Sequence, residues 1–219
     1  MNPEFPNPCI SIILTTYNRA GLILRAIDSV LAQTFCDWEL IIIDDGSTDD
    51  TAQRLEPLLE SDDRLIYFHQ ENQGYAAACN AGFRMARGAW ITLLDSDDEY
   101  LPEHLQTRLD WMRGHPELDL AHGGFEVIGS PDDWYVPDAN DPARRIHLSE
   151  CVAGGTFFGR AKVFRELQGF DQKLEYAHDF DFANRAAEGF RIARVEIPTY
   201  LYHRDHPHGI CREMQSKDK

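Results

Sequence analysis

Short apolar runs alternate with amphipathic segments through the first half of the chain. The runs are rich in β-branched residues, and their length is typical of buried strands. We predict strands at residues 9–15, 39–43, 65–68 and 90–94. We predict helices at residues 21–33, 48–57, 75–87 and 101–112, where apolar residues recur at helical spacing. Ser47 and Asp50 resemble a capping box at the start of the second helix.

This alternation indicates an α/β fold with a mostly parallel central sheet and helices on both faces. Ligands of such sheets bind beyond the carboxyl ends of the strands. Polar clusters follow three of the predicted strands there, at residues 15–19, 44–47 and 95–98. We therefore expect one binding site at this edge of the sheet.

The second half of the chain is less regular. We predict a loop at residues 130–145, helices at 161–168 and 181–188, and strands at 191–196 and 199–203. We interpret residues 1–219 as a single domain with two halves, at about 8–115 and about 116–219.

The charge of the chain limits its partners. Lys and Arg number 21 against 37 Asp and Glu, which gives a net charge of −16. This charge opposes binding to nucleic acids and to anionic membranes, and a phosphate-bearing substrate would need a bound cation.

Residues 1–8 lack a signal-peptide pattern, and the longest apolar run, at 40–43, is too short to cross a membrane. Five cysteines without a CxxC pair suggest reduced thiols, so we expect a cytoplasmic protein.

Two acidic motifs carry candidate chemistry. Asp95, Asp97 and Asp98 repel one another unless a cation lies between them, and their oxygens suit Mg²⁺ or Mn²⁺. The carboxylates of Asp44 and Asp45 can accept from a uracil N–H or a ribose hydroxyl. Both motifs also occur as acidic turns that cap a following helix.

Taken together, six motifs resemble the family 2 glycosyltransferases, which are inverting enzymes of the GT-A fold. The motifs lie in family order at residues 13–19, 38–51, 80–82, 94–98, 169–181 and 202–206. The resemblance covers nearly the whole chain. It implies a metal-dependent hexosyl- or N-acetylhexosaminyl-transferase that uses a nucleotide-diphosphate sugar, with a UDP-sugar favoured.

The resemblance also implies roles for individual residues. The positions that match donor-binding residues are Thr15, Tyr17, Arg19, Asp45, Asn80 and Asp95. Asp97 matches the metal ligand, and His206 matches a position that completes the metal shell or contacts the diphosphate. Bound Mn²⁺ or Mg²⁺ would neutralise charge on the leaving nucleotide diphosphate.

An inverting transfer needs a base for the acceptor hydroxyl, and Asp179 matches that base, with Asp181 as the fallback. His178 and Cys79 depart from the family pattern, which often has Glu and Arg at those positions.

The acceptor is expected to be a saccharide or a lipid-linked saccharide that contacts residues 127–150. Trp134 and Tyr135 in this segment are candidates to stack on a sugar or simply to pack down.

Three other functions fit parts of the sequence. A strand that ends in Asp-x-Asp also occurs in haloacid-dehalogenase-type phosphatases. That pattern expects small residues and Thr after the second Asp, where this chain has Asp98 and Glu99. A dinucleotide-dependent dehydrogenase would need a Gly-x-Gly-x-x-Gly after the first strand, and none is present there. A catalytically inactive nucleotide-sugar-binding module would be consistent with His178 and Cys79.

Overall fold

The computed structural model of the chain describes residues 7–138, 141 and 143–205. The first half contains β1 (Ile10–Thr16), α1 (Ile23–Leu31), β2 (Trp38–Asp44), α2 (Thr51–Ser61), β3 (Leu65–His69), α3 (Tyr75–Met85), β4 (Trp90–Asp95), β5 (Glu99–Tyr100) and α4 (His104–Gly114). The second half contains β6 (Leu120–His122), β7 (Phe125–Ile128), β8 (Tyr135–Pro137), β9 (Arg145–His147), β10 (Phe158–Arg160), α5 (Ala161–Glu166), α6 (His178–Gly189), β11 (Ile192–Arg194) and β12 (Tyr200–His203). Short 3-10 turns cover Pro131–Trp134, Leu148–Glu150 and Gly154–Thr156.

A seven-stranded sheet in the order β11-β6-β10-β4-β1-β2-β3 forms the centre of the fold. Strand β1 pairs in parallel with β2 and β4, and β2 pairs in parallel with β3. Strand β10 runs antiparallel between β4 and β6. The predicted mostly parallel α/β fold is therefore confirmed. A three-stranded sheet (β5-β12-β7) and the β8–β9 hairpin complete the strands of the described residues.

The core lies on both faces of the central sheet. Ile12 and Leu14 of β1 pack in one apolar cluster with residues of α1 and α4. Ile13 points to the opposite face, where it packs with residues of α3, α5 and α6. Because both faces are buried, the central strands are almost continuously apolar in sequence rather than alternating.

Helix α2 differs from its predicted bounds. It begins at Thr51 rather than at residue 48, and Ser47 does not cap it, because the Ser47 hydroxyl accepts a hydrogen bond from the Asn18 N–H at 2.9 Å. The helix also continues through Pro57 to Ser61. Pro57 has no N–H to donate to the Gln53 carbonyl, and because Gln53 is exposed, this carbonyl can bond to water instead.

Other differences concern short elements. Residues 130–145 are not a simple loop, because they include a 3-10 turn, all of β8 and the start of β9. The strands β5, β6, β7 and β10 were not predicted, since two to four residues carry too little periodicity to be recognised. Helix α6 begins three residues before its predicted start. None of the helices in the described part of the chain has the length and apolar character that a membrane span requires.

Candidate active site

The polar segments that follow β1, β2 and β4 meet at the carboxyl edge of the central sheet. The Asp45 N–H donates to the Thr16 carbonyl at 2.9 Å, and the Asn18 side chain accepts from the Thr48 N–H at 2.8 Å. Thr15 lies opposite Asp95 in the β1–β4 register. The structure thus brings the three predicted polar clusters into one site. Asn18 has a φ of 52°, a left-handed conformation that Asn tolerates better than most residues.

Asp45 is buried and organises the loop that leads into α3. Its carboxylate accepts from the Gln70 side chain at 2.7 Å, from the Gln73 N–H at 2.9 Å and from the Gly74 N–H at 2.8 Å. These bonds fix the position of Tyr75, the first residue of α3. The adjacent Gly46 has a φ of 84°, and a Cβ there would lie 2.8 Å from the Asn72 nitrogen, so only glycine fits.

Neither acidic motif caps a helix. The Asp44 carboxylate accepts from the Ser47 N–H at 2.8 Å and from the Tyr67 hydroxyl at 2.7 Å, whereas the residue before α2 is Asp50. The 95–98 segment leads into β5, and the next helix, α4, begins only at His104. The capping interpretation of both motifs is therefore wrong.

Asp95 and Asp98 lie in a strongly desolvated environment. Burial, with a second contribution from the Asp97 charge, raises the pKa of Asp95 to about 7. Burial and the charge of Asp95 raise the pKa of Asp98 well above its usual value. Asp98 is held by the Tyr200 hydroxyl, which donates at 2.6 Å, and by the His203 N–H, which donates at 2.8 Å. These bonds tie the acidic segment to β12.

Asp97 is partly exposed, and its backbone is fixed from α1. Its carbonyl accepts from the Arg25 guanidinium at 2.5 Å, and the Nε of Arg25 lies 3.3 Å from a Glu99 carboxylate oxygen. The same Glu99 oxygen lies 2.7 Å from the Nε2 atom of His203. Arg25 was not recognised in the sequence, because an arginine on a predicted helix is normally a solvent-exposed residue.

The acidic segment fits a divalent cation. The Asp97 charge contributes to the raised pKa of Asp95, and a cation near both carboxylates would relieve this repulsion. Within the described residues, no three carboxylate, imidazole or thiol groups converge to form a full metal shell. Divalent cations of this type usually take remaining ligands from water and substrate phosphates. His206, the other predicted metal residue, lies outside the described residues.

Asp179 approaches the same site from the second half of the chain. Its carboxylate accepts from the Gly154 N–H at 3.1 Å and from the Phe180 N–H at 2.8 Å, and burial raises its pKa. It is not the N-cap of α6, because Ala177 holds that position in a left-handed conformation with a φ of 59°. Backbone conformations of this kind are strained for non-glycine residues and are frequent at functional sites.

Tyr75 lies between the two halves of the site. Its hydroxyl donates to Asp95 at 3.3 Å, and after burial the charges of Asp95 and Asp179 both contribute to its raised pKa. The His178 ring lies 6.1 Å from the Tyr75 ring, and its buried Nδ1 atom has no hydrogen-bond partner. Tyr75 was missed in the sequence, where it marks only the start of a predicted helix.

Cys79 is a buried thiol beside Tyr75 and Thr15. It hydrogen-bonds with the Tyr75 and Thr15 side chains, and burial raises its pKa. It therefore places a neutral group where the family pattern often has an arginine.

Asn80 and Asp181 have structural partners. The Asn80 side chain donates to the Phe170 carbonyl and accepts from the Phe170 N–H, both at 2.8 Å. Asp181 pairs with Arg185 at 2.8 Å. These contacts do not favour the predicted donor role of Asn80 or the fallback base role of Asp181.

Arg108 is a fully buried cation that supports the turn beside Asp179. Its guanidinium donates to the Thr156 carbonyl at 2.9 Å and to the Gly123 and Gly124 carbonyls at 2.7 and 2.9 Å. Burial lowers its pKa to about 10. Because Thr156 ends the 3-10 turn that begins at Gly154, Arg108 helps to hold the N–H that binds Asp179.

A family model matches most of this chain. The model for glycosyl transferase family 2 matches residues 11–177, which include all three polar clusters. The chain belongs to glycosyl transferase family 2. It is 32% identical over 211 residues to the putative colanic acid biosynthesis glycosyl transferase WcaA of Escherichia coli, covering 91% of this chain and 74% of WcaA. It spans only 57% and 59% of the length of two other curated relatives that it matches.

Solved structures confirm the GT-A fold of this family 2 member. TarS 1-349 of S. aureus in complex with UDP-GlcNAc matches with a TM-score of 0.75 and 22% identity, over 93% of this chain and 60% of that chain. The mannosyltransferase PcManGT of Pyrobaculum calidifontis, in complex with GDP-Man and Mn²⁺, matches with a TM-score of 0.71 and 20% identity. The match covers 99% of this chain and 62% of the PcManGT chain.

Proposed function

We propose that the chain transfers a sugar with inversion from a nucleotide-diphosphate sugar to an acceptor hydroxyl. The main support is that Asp179 from the second half and Asp95 from the first half lie on either side of Tyr75 at one edge of the sheet. Residues at about 8–115 would bind the donor, and residues at about 116–219 would bind the acceptor. Both halves contribute carboxylates to one site, as such a transfer requires.

We assign the nucleoside to the end of the site near β1 and β2. Thr15, Tyr17, Arg19 and Asp45 are the proposed contacts there, and Asp95 is placed near the ribose. Tyr17 is 48% exposed, so its ring is accessible to a base. The Oδ2 atom of Asp45 accepts one described bond, from Gly74, and a carboxylate oxygen can accept a second, such as a uracil N–H. We favour a UDP-sugar on this ground, with a hexosyl or N-acetylhexosaminyl group.

We assign the divalent cation, Mn²⁺ or Mg²⁺, to Asp97. PcManGT is described with GDP-Man and Mn²⁺, which supports a metal in this family member as well. When bound, the cation would neutralise the charge of the leaving nucleotide diphosphate. Arg25 holds the Asp97 carbonyl and so would limit the positions that the Asp97 carboxylate can take when it holds the cation. His206 remains a proposed additional ligand.

We assign the general base to Asp179. In an in-line displacement, the acceptor oxygen bonds to the anomeric carbon as the bond to the diphosphate oxygen breaks, and the acceptor proton passes to Asp179. The raised pKa makes its carboxylate a stronger proton acceptor than an exposed one. The Gly154 N–H orients one carboxylate oxygen and leaves lone pairs for the acceptor hydroxyl.

The acceptor is proposed to be a saccharide or a lipid-linked saccharide of bacterial-type polysaccharide or glycoconjugate synthesis. WcaA carries a name from colanic acid biosynthesis, which supports this class. The cysteines of the described residues, Cys9, Cys36, Cys79 and Cys151, are all free thiols. Free thiols fit the reducing conditions of the cytoplasm, where we propose that the protein acts.

A thermal-shift screen of nucleotide sugars with and without Mn²⁺ tests the donor assignment. A ligand that binds only the folded state at 100 times its dissociation constant adds about 2.7 kcal/mol of stability. We expect UDP-sugars to raise the melting temperature only when Mn²⁺ is present. Donor hydrolysis in the same samples separates an enzyme from an inactive binding module, because only the enzyme would release the nucleoside diphosphate. No stabilisation by any nucleotide sugar would contradict the proposal.

A further inference from the structure

Aromatic side chains of the β8–β9 hairpin line a cavity of about 500 Å³, here called the hairpin cavity. Its lining residues are Gly129, Pro131, Trp134, Tyr135 and His147. The Trp134 and His147 rings are stacked, with centroids 5.2 Å apart and planes 13° apart. Tyr135 meets His147 edge-on at 5.2 Å and is 42% exposed. The cavity therefore presents an accessible aromatic surface outside the candidate active site.

Hydrogen bonds fix the backbone that carries these rings and orient the His147 ring itself. Arg145 donates to the Asp132 carboxylate and carbonyl, both at 2.9 Å, and to the Tyr135 carbonyl at 3.0 Å. The His147 Nδ1 atom lies 2.6 Å from the Ser149 hydroxyl and accepts from the Ser149 N–H at 3.1 Å. A surface whose rings are already ordered loses little conformational entropy when it binds a ligand.

The chemistry around the hairpin cavity suits a neutral sugar. The face of an aromatic ring is electron-rich and attracts the C–H groups that cover one side of a pyranose. The carboxylates of Asp132 and Asp133 lie on the turn that carries Trp134, and carboxylates accept strong hydrogen bonds from sugar hydroxyls. Arg145 offsets the charge of Asp132, so the Asp133 charge leaves the turn with a net negative charge, which makes a lipid diphosphate a poorer match than an uncharged saccharide.

The chain on either side of the hairpin cavity leads to Asp98 at one end and to Asp179 at the other. Gly129 follows Ile128, which is paired with His203 across β7 and β12, and the His203 N–H donates to Asp98. On the other side, the chain runs from His147 through a 3-10 turn to Gly154, whose N–H binds Asp179. The two ends of the segment that lines the hairpin cavity therefore continue into the segments that hold Asp98 and Asp179.

We propose that the hairpin cavity is an acceptor subsite that binds a neutral sugar unit by stacking on Trp134 and Tyr135. This proposal rests on the proposed function, because it assigns the class of acceptor to that function. The reacting hydroxyl belongs at Asp179, and the subsite holds another part of the same acceptor.

The test measures saccharide binding without donor, by saturation-transfer difference NMR. The probes are lactose, cellobiose and chitobiose as neutral saccharides, and geranyl diphosphate as the lipid diphosphate. We expect at least one neutral saccharide to bind through its C–H face, and Trp134→Ala or Tyr135→Ala to weaken that binding by at least about 10-fold. Trp134→Phe should retain part of it, because a phenyl ring still stacks.

Trp111→Ala is the matched control. Trp111 also stacks on a histidine, His115, at 4.2 Å, but it lies on α4 and does not line the hairpin cavity. Saccharide binding should be unchanged in this variant. Three outcomes would overturn the proposal: binding of none of the saccharides, equal binding to wild type and Trp134→Ala, or Trp134-dependent binding of geranyl diphosphate alone. Absence of donor turnover would instead contradict the proposed function, since this assay contains no donor.

Discussion

Replacing Asp95 with Asn should stabilise the fold while removing a proposed donor contact. Burial and the Asp97 charge raise the pKa of Asp95 from 3.8 to about 7. The folded protein therefore binds this proton more tightly than the unfolded chain does. The stabilisation that protonated Asp95 contributes to the fold is fully present below pH 3.8 and is lost as the pH rises to about 7.

The size of the effect follows from the two pKa values of Asp95. Each unit of difference between the two pKa values corresponds to about 1.4 kcal/mol. Because Asp95 ionises at lower pH in the unfolded chain than in the folded protein, the free energy of unfolding falls by about 2 kcal/mol at pH 5 and by about 4 kcal/mol at pH 7. The asparagine side chain of the Asp95→Asn variant cannot ionise, and its carbonyl still accepts from the Tyr75 hydroxyl. The variant should therefore exceed wild type by these amounts, and the gap should grow with pH.

Urea unfolding at pH 5, 6, 7 and 8 in EDTA measures this gap. Asp63→Asn is the control, because Asp63 is an exposed aspartate away from the site. This control should track wild type at every pH. Replacing EDTA with Mn²⁺ should narrow the gap, because a cation at Asp97 favours the charged form of Asp95. A gap that stays constant between pH 5 and pH 7 would refute the reasoning about desolvation.

Three further substitutions separate structural from functional contacts. Asn80→Ala should lower the free energy of unfolding by about 2–4 kcal/mol in urea, because it leaves the buried N–H and carbonyl of Phe170 without partners, and donor affinity should not change. Arg25→Gln should weaken Mn²⁺-dependent UDP binding about 10-fold in calorimetry, since the Asp97 backbone loses its charge-assisted bond; wild-type affinity would contradict this role. Asp45→Ala should weaken uridine and UDP alike, and a loss for UDP alone would place Asp45 on the phosphate side.

The sequence was sufficient to predict the central sheet and the place of the site. Buried parallel strands are continuous apolar runs, and the polar residues that follow them necessarily share one edge. The sequence was not sufficient to predict the contacts that join distant segments. Tyr200 binds Asp98 across 102 positions, and Arg108 binds carbonyls of three separate loops; neither contact leaves a local pattern.

The predicted capping box of the second helix was wrong for a related reason. Ser47 and Asp50 have the spacing of a capping box, but the Ser47 hydroxyl is engaged by Asn18 from another strand end. Tertiary hydrogen bonds of this kind override a local signal. The contact between Asn80 and Phe170 is another example that leaves no local pattern, because the two residues lie 90 positions apart.

The rate of nucleoside diphosphate release by Asp179→Asn tests the central claim most directly. The measurement uses a UDP-sugar with Mn²⁺, at saturating donor, beside wild type. The account predicts that Asn lowers the rate by about 10²–10⁴-fold, because it cannot accept the proton. UDP affinity should be nearly unchanged, and thermal stability should not fall, since Asn retains an acceptor for the Gly154 N–H and avoids a buried charge. Release at the wild-type rate would contradict the assignment of Asp179 as the base of an inverting transferase.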